Sequence, residues 1–296
     1  MNHRLLHYVS LCIGLLFLIP SLISAFIFHY PHFYTAFAFG TWLLLDFIDW
    51  KINNTSILGY FFTHTHRDAF ALFFILASTF CFIVDYLYGV RLSGMWRWTD
   101  YKTIHFIRMY VFMNTSYILG MYELFRIIQS VCKKIFAGYN PKPVQFSKHF
   151  YTTLVFIGVL FLLLPLYTVV YNTRIFIEYV MLAPFIGMVF VADGTTGIWG
   201  GKPFIEYIFG GNILYIVSII MTALIGATIT EYINIFGGEW SYVRMPFPNI
   251  TLYNIPVAVF VGWIPLVFGS IALVHLIKRS DYVWDKKDFR KTLDAN

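Results

Sequence analysis

The stretch Thr230-Glu231-Tyr232-Ile233-Asn234-Ile235-Phe236-Gly237-Gly238-Glu239-Trp240-Ser241-Tyr242 gathers an acid, an amide and two large aromatic rings. Glu231 and Asn234 are three residues apart and share a helix face. Gly237-Gly238 is a helix stop that lets the chain turn back. Alternation in the extended segment that follows sets Trp240 and Tyr242 on one side. The result is an acid beneath an aromatic rim. Such a pair can protonate a C=C bond and shield the carbocation on aromatic faces, if apolar surroundings keep the acid protonated. Asp85, Gly94, Trp96 and Trp98 repeat the pattern earlier in the chain. An ionisable residue inside a membrane helix costs roughly 2.5–3.5 kcal/mol and is a functional candidate by default. The candidate catalytic acids are therefore Glu231, Asp85 and Glu123, with Glu178 a further intramembrane acid. Asn234, Trp240, Tyr242, Trp96, Trp98 and Trp263 are candidate substrate-binding residues. The plainer alternative is an aromatic belt at one membrane interface, where Trp and Tyr are enriched anyway.

These residues need helices to carry them. The 296-residue chain is 59% hydrophobic and 12% charged, against about 45–50% and about 25% for a soluble globular domain. That much apolar surface needs a bilayer. Eight segments are long and apolar enough to be read as membrane helices: 5–28, 33–50, 69–90, 106–128, 150–171, 175–192, 212–236 and 254–277. The sixth is the shortest and fits a tilted or re-entrant helix. The first is too long for a signal peptide h-region and is expected to stay as helix one. With eight spans, fifteen Lys and Arg fall on the side of the termini and six on the other. That bias places both termini in the cytoplasm, across a plasma (inner) membrane. Topology and anionic headgroups account for the net charge of +6, so nucleic acid is not an expected partner.

The fold expected is an all-α integral membrane protein of about eight helices arranged as two parallel four-helix repeats. Ile13-Gly14-Leu15-Leu16-Phe17-Leu18 matches Ile157-Gly158-Val159-Leu160-Phe161-Leu162, Asp46 matches Asp193, and Asp85-Tyr86 matches Glu231-Tyr232. Trp96-x-Trp98 matches Trp240-x-Tyr242, and the offset stays between 144 and 147 throughout. The units read as 1–128 and 150–277, joined by a cytoplasmic linker 129–149 and followed by a basic cytoplasmic tail 278–296. An even number of helices per unit gives both the same orientation, about an axis along the membrane normal.

No metal or cofactor is expected. His64-Thr65-His66-Arg67-Asp68 follows Asp46 and Asp49, but no histidine-box spacing accompanies it, and a solvated loop is the better reading. The three cysteines, Cys12, Cys81 and Cys132, are far apart and suggest neither a disulfide framework nor a thiolate site. Asp46-x-x-Asp49 resembles the first aspartate motif of the membrane prenyltransferases, which holds a diphosphate through magnesium. The second motif of that family has only Asp193 as a counterpart.

Over residues 226–265 the chain resembles the membrane-embedded carotenoid enzymes, the carotenoid hydratases of the bacterioruberin pathway and the related lycopene cyclases. The matching positions are Glu231, Gly238-Glu239-Trp240-Ser241-Tyr242, Ile255-Pro256 and Gly262-Trp263. The Pro-x-Glu-Glu motif of the cyclases is replaced by Pro256-Val257-Ala258-Val259, and in the first half by Met113-Asn114-Thr115. The resemblance therefore implies hydration or rearrangement of an isoprenoid C=C bond more than cyclisation, with a carotenoid-like lipid as substrate. The other function class open to this sequence is non-catalytic: a transporter of lipid or small solutes, or a subunit of a membrane complex. A long apolar cavity open to lipid separates the first class from the polar, alternating cavity of the second.

Overall fold

The computed structural model describes residues 3–62, 67–99, 102–136, 139, 141–171 and 177–278. The His64-Thr65-His66 segment, Arg174 and the basic tail beyond Lys278 lie outside them. The described residues are mostly helical. Helices α1 (His3–Phe26) and α2 (Tyr34–Asn53) are followed by the short α3 (Ile57–Phe61) and by α4 (Arg67–Cys81). After strand β1 (Trp96–Trp98) come α5 (Thr103–Ile107) and α6 (Asn114–Ile135). Then follow α7 (Lys148–Val170), a single turn α8 (Ile177–Val180), α9 (Ala183–Ile198), the short α10 (Phe204–Phe209) and α11 (Ile213–Gly237). Strands β2 (Trp240–Tyr242), β3 (Thr251–Leu252) and β4 (Ile255–Pro256) lead into α12 (Val257–Lys278).

Among the described residues, five helical runs are long and apolar enough to cross a membrane: Arg4–Phe26, Asp68–Leu92, Lys148–Thr168, Ile213–Gly237 and Val257–Lys278. The other three expected segments fall short for identifiable reasons. Helix α2 carries Asp46, Asp49 and Lys51, and α6 carries Glu123, Arg126, Lys133 and Lys134, so charge breaks their apolar windows. Helix α9 starts at Ala183 rather than near 175 and has 16 residues, because Pro184 in its first turn favours a helix start there. Helix α6 continues to Ile135, so the end of the first unit reaches into the segment read as linker. Only 22% of the apolar window is buried in the first three runs, against 50% and 56% in the last two. Of these five runs α11 and α12 are thus the most enclosed, and outward side chains such as Leu16 and Val170 cover the molecule with apolar surface.

Close helix crossings are made by glycine. A Cβ on Gly40 would lie 2.6 Å from Leu18 N and 2.8 Å from Gly14 O, so α1 and α2 touch backbone to backbone. A Cβ on Gly187 would lie 2.7 Å from Gly158 O and 3.0 Å from Leu162 N, giving the same contact between α7 and α9. Packing of this kind is what holds helices together where the solvent is as apolar as the side chains. Gly187→Leu has no room on either side and is expected to lower the thermal midpoint sharply or prevent folding. Gly262→Leu, where a Cβ meets no atom within 4 Å, leaves the midpoint near that of the native chain. Scanning fluorimetry in detergent reads both.

Charged groups gather at the end of the bundle where α1 begins and α12 finishes. Asp46 Oδ1 accepts the Leu58 N–H at 2.8 Å, its Oδ2 lies 3.3 Å from His7 Nδ1, and Glu123 Oε1 accepts the Ile57 N–H at 2.6 Å. Asp49 pairs with Arg126 at 3.0 Å and accepts from Asn53 Nδ2 at 2.6 Å. Asp193 accepts the Phe204 and Ile205 N–H groups at 3.0 and 2.7 Å. Asp46, Glu123 and Asp193 satisfy the open N–H groups of the first turns of α3 and α10. Asp46 and Asp49 are both fully buried. Their carboxylates are engaged inside the protein, which does not suit a diphosphate–magnesium site.

Candidate functional site

Asp85 sits where the α-helix ladder gives way to a wider π-helix, Phe82–Leu92. A second π-helical turn, Arg108–Met113, carries Tyr110. π-helical turns are rare and recur at functional sites. Here they bring acid and phenol together, with Tyr110 Oη donating to Asp85 Oδ2 at 2.7 Å. Trp96 Nε1 donates to Asp85 Oδ1 at 2.8 Å, and Trp98 Nε1 to Oδ2 at 3.2 Å. Three donors therefore converge on one carboxyl group. The Trp96 ring lies directly on Gly89, where a Cβ would come within 1.9 Å of it. Any larger residue at 89 would push the ring off Asp85.

Glu231 is built by its own strand and by α12. Tyr242 Oη donates to Glu231 Oε1 at 2.6 Å and accepts from Trp240 Nε1 at 3.1 Å. Trp263 Nε1 donates to the same Oε1 at 3.2 Å. Burial, together with the neighbouring Glu231, holds the Tyr242 phenol well above its ordinary range, so it stays a donor. Glu231 Oε2 is buried and has no hydrogen-bond partner among the described residues. Asp85 is thus an acceptor with both oxygens occupied, while Glu231 keeps one oxygen free for chemistry.

The two acids meet because their strands pair. Strands β1 and β2 run antiparallel with Trp96 opposite Tyr242 and Trp98 opposite Trp240. Each is entered through a glycine in the left-handed region, Gly94 at φ 65° and Gly238 at φ 66°, a conformation that costs other residues about 1–2 kcal/mol. Asn234 fixes the second turn, accepting from Glu239 N at 2.9 Å and Trp240 N at 3.2 Å and donating to Trp240 O at 2.9 Å. Glu239, fully buried, accepts the Tyr34 N–H at 2.6 Å and pairs with Arg108 at 3.2 Å. That ties the ribbon to the start of α2.

One cavity of about 440 Å³ lies under this ribbon. Asp85, Trp96, Trp98, Glu231, Trp240, Tyr242 and Trp263 all line it. Its size is that of a pocket for a small organic ligand. The rest of the wall is mainly apolar, from Phe80, Val84, Met113, Ile118, Val259 and Leu266. Tyr179, Leu182, Phe247, Ile250 and Val261 also belong to the lining and are exposed on the outside of the molecule, so the mouth has an apolar rim. Asn234 does not line the cavity and acts on it by holding Trp240. Glu123 does not line it either, and sits among the acids at the other end of the bundle.

No protein-family model, no curated protein and no solved structure matches the chain. The site therefore rests on its own geometry. Among the described residues no group of three or more His, Cys, Asp or Glu side chains is placed to hold a metal ion. Four residues of the site escape sequence reasoning: Tyr34 and Tyr110, and Asn114 with Tyr117, which also line the cavity. The first two carry no local signal, since their partners are 205 and 25 residues away. Asn114 and Tyr117 are a polar pair three residues apart on one face of α6, but Thr115, Ser116 and the charged residues of the same helix mask them.

Proposed function

We propose that the protein is a membrane enzyme acting on an apolar, isoprenoid (carotenoid-like) lipid by acid-initiated hydration or rearrangement of a C=C bond. The observation that carries this reading is that Glu231, with a carboxyl oxygen unpartnered among the described residues, lines an apolar cavity whose wall includes Trp96, Trp98, Trp240, Tyr242 and Trp263. Glu231 delivers the proton. The rings shield the cation, electron-rich faces being the one stabiliser an apolar cavity can supply without a competing nucleophile. The exposed apolar rim suits a substrate that enters from hydrocarbon. These features, and the resemblance over 226–265, favour the hydratase-like members of the carotenoid group as the nearest chemistry. A transporter calls for polar lining on a path open to either side, and the wall here is mostly apolar.

The architecture proposed with it is eight spans in two parallel repeats, with both termini in the cytoplasm of a plasma (inner) membrane. Four correspondences support it at nearly constant offset. Gly14 and Gly40 make the α1–α2 crossing as Gly158 and Gly187 make the α7–α9 crossing. Asp46 caps α3 as Asp193 caps α10. Gly94 and Gly238 open the two strands. Each acid bonds a ring eleven residues further on, Trp96 for Asp85 and Tyr242 for Glu231.

Mass spectrometry of the lipids extracted from purified protein tests the function. A long apolar isoprenoid, retained at near-stoichiometric amount and enriched over the host membrane, is the expected result. Host phospholipid alone, in its bulk proportions, would overturn the reading.

A further inference from the structure

Three polar atoms around the cavity have no hydrogen-bond partner among the described residues: Glu231 Oε2, Asn114 Nδ2 and Tyr117 Oη. All three are shielded from solvent. Tyr117 is 9% exposed and Glu231 1%. A buried polar group left unpaired costs free energy, and a native site with several such groups on one void calls for a missing partner. Asn114 and Tyr117 stand one turn apart on α6. The Tyr117 ring packs edge-on against Trp263 at 5.4 Å, and Trp263 in turn donates to Glu231. Tyr117 is thus joined to the acid through one ring, and Asn114 lines the same cavity.

We infer that Asn114 and Tyr117 form a polar subsite beside Glu231 that holds one neutral hydroxyl oxygen, of water or of an alcohol at the end of the apolar ligand. The chemistry selects it. An amide N–H and a phenol offer donors and one acceptor but no positive charge, so an anion finds no counter-ion there, and beside Glu231 in its protonated acid form neither does a cation. An oxygen with two lone pairs and one or two protons has the donors and acceptors to match all three orphaned atoms. The inference rests on the acid-initiated reading for its role. When the occupant is water, Glu231 protonates the alkene, the water oxygen forms a C–O bond to the cation, and the proton it sheds returns to the Glu231 carboxylate. The sum is addition of water across the double bond, with no other reactant.

Two arms of one experiment separate the two sources, using native protein in nanodiscs, the double variant Asn114→Leu/Tyr117→Phe and Glu231→Gln. In the first arm the protein is incubated with lycopene, an acyclic polyene, in ¹⁸O-labelled water and separately in D₂O. If water fills the subsite, native protein yields ¹⁸O-labelled alcohol, and the double variant lowers the ratio of alcohol to deuterium-exchanged alkene by about tenfold, the loss of hydrogen bonds at one site. In the second arm binding of geranylgeraniol is compared with that of its C20 hydrocarbon analogue through tryptophan fluorescence. If a ligand hydroxyl fills it, native protein prefers the alcohol by about tenfold and the double variant loses that preference. Either result supports the subsite. It is overturned if native protein shows no preference between the two ligands and the double variant leaves the product ratio at the native value, or if no product forms and the preference is absent. Deuterium exchange absent from native protein, or unchanged in Glu231→Gln, sinks the catalytic reading alone and leaves the binding arm to decide the subsite.

Discussion

Glu231→Gln abolishes turnover of an isoprenoid substrate while the protein keeps its fold. General acid catalysis contributes about 10²–10⁴-fold, so a loss of at least about 10² in rate is expected. The amide suits the site sterically and in its hydrogen bonds. Its carbonyl oxygen still accepts from Tyr242 Oη and Trp263 Nε1, as Glu231 Oε1 does. Its NH₂ replaces an oxygen that has no partner among the described residues, so no bond is lost there. Asp85→Asn behaves differently. Both Asp85 oxygens accept, from Trp96 on one side and from Trp98 and Tyr110 on the other. An NH₂ on either side faces a donor, and a buried mismatch of that kind costs about 1–3 kcal/mol. The Asn variant is therefore expected to unfold at lower temperature than Glu231→Gln, and Tyr110→Phe to restore part of the loss when the NH₂ takes that side. Product analysis with parallel thermal scans reads both acids. Native-like turnover in Glu231→Gln would end its role as proton donor and leave the aromatic-belt reading.

How much of this was legible in the sequence depends on how far apart the partners are. The pairing of an acid with rings eleven and thirteen residues later is local, and spacing alone picks out Asp85, Trp96, Trp98, Glu231 and Tyr242. Trp240 follows from alternation in the same strand. Asn114 and Tyr117 reach the cavity from a neighbouring helix, Tyr110 reaches Asp85 beside it, and no periodicity within one segment reports a neighbour. The π-helical turns at Asp85 and Tyr110 have no signature in the spacing of the sequence, since the same side-chain types continue from the α-helical turns before them. Hydropathy separates five helices cleanly and falters at α2 and α6, where Asp49 and Arg126 are charged but neutralise each other inside the bundle. Asp46 and Asp193 stand out as acids in apolar helices, yet their work is to cap short helices eleven or twelve residues on. A carboxylate spent on a helix end looks in the sequence like one kept for chemistry. Glu123 is the instructive case: an intramembrane acid by position, it accepts the first N–H of α3 and lies away from the cavity.

Gly262→Trp is the second change with a large expected effect, because it acts on the cavity and not on its acid. Gly262 lines the void from α12, one residue before Trp263, and a Cβ built on it meets no atom within 4 Å. An indole there projects into a space of about 440 Å³ and takes up the room a ligand chain would need. Filling an apolar void with an apolar ring buries area at roughly 25 cal/mol per Å², so the thermal midpoint is expected to hold or rise. Retained isoprenoid and turnover are expected to fall together, by tenfold or more, since loss of the ligand's contacts over even a few methylenes amounts to that factor at about 0.8 kcal/mol each. Gly262→Ala adds one methyl group where there is space and stays close to native on every count. Gly226→Ala is the contrasting control: its Cβ would sit 2.7 Å from Met121 Sδ, so its cost appears in stability and not selectively in ligand. Extracting lipid from equal amounts of the three variants, with a thermal scan of each, separates a cavity that holds substrate from a packing defect. Gly262→Trp retaining its full complement of isoprenoid would show that the ligand lies elsewhere, and with it would go the assignment of Glu231 and the aromatic wall to the reaction.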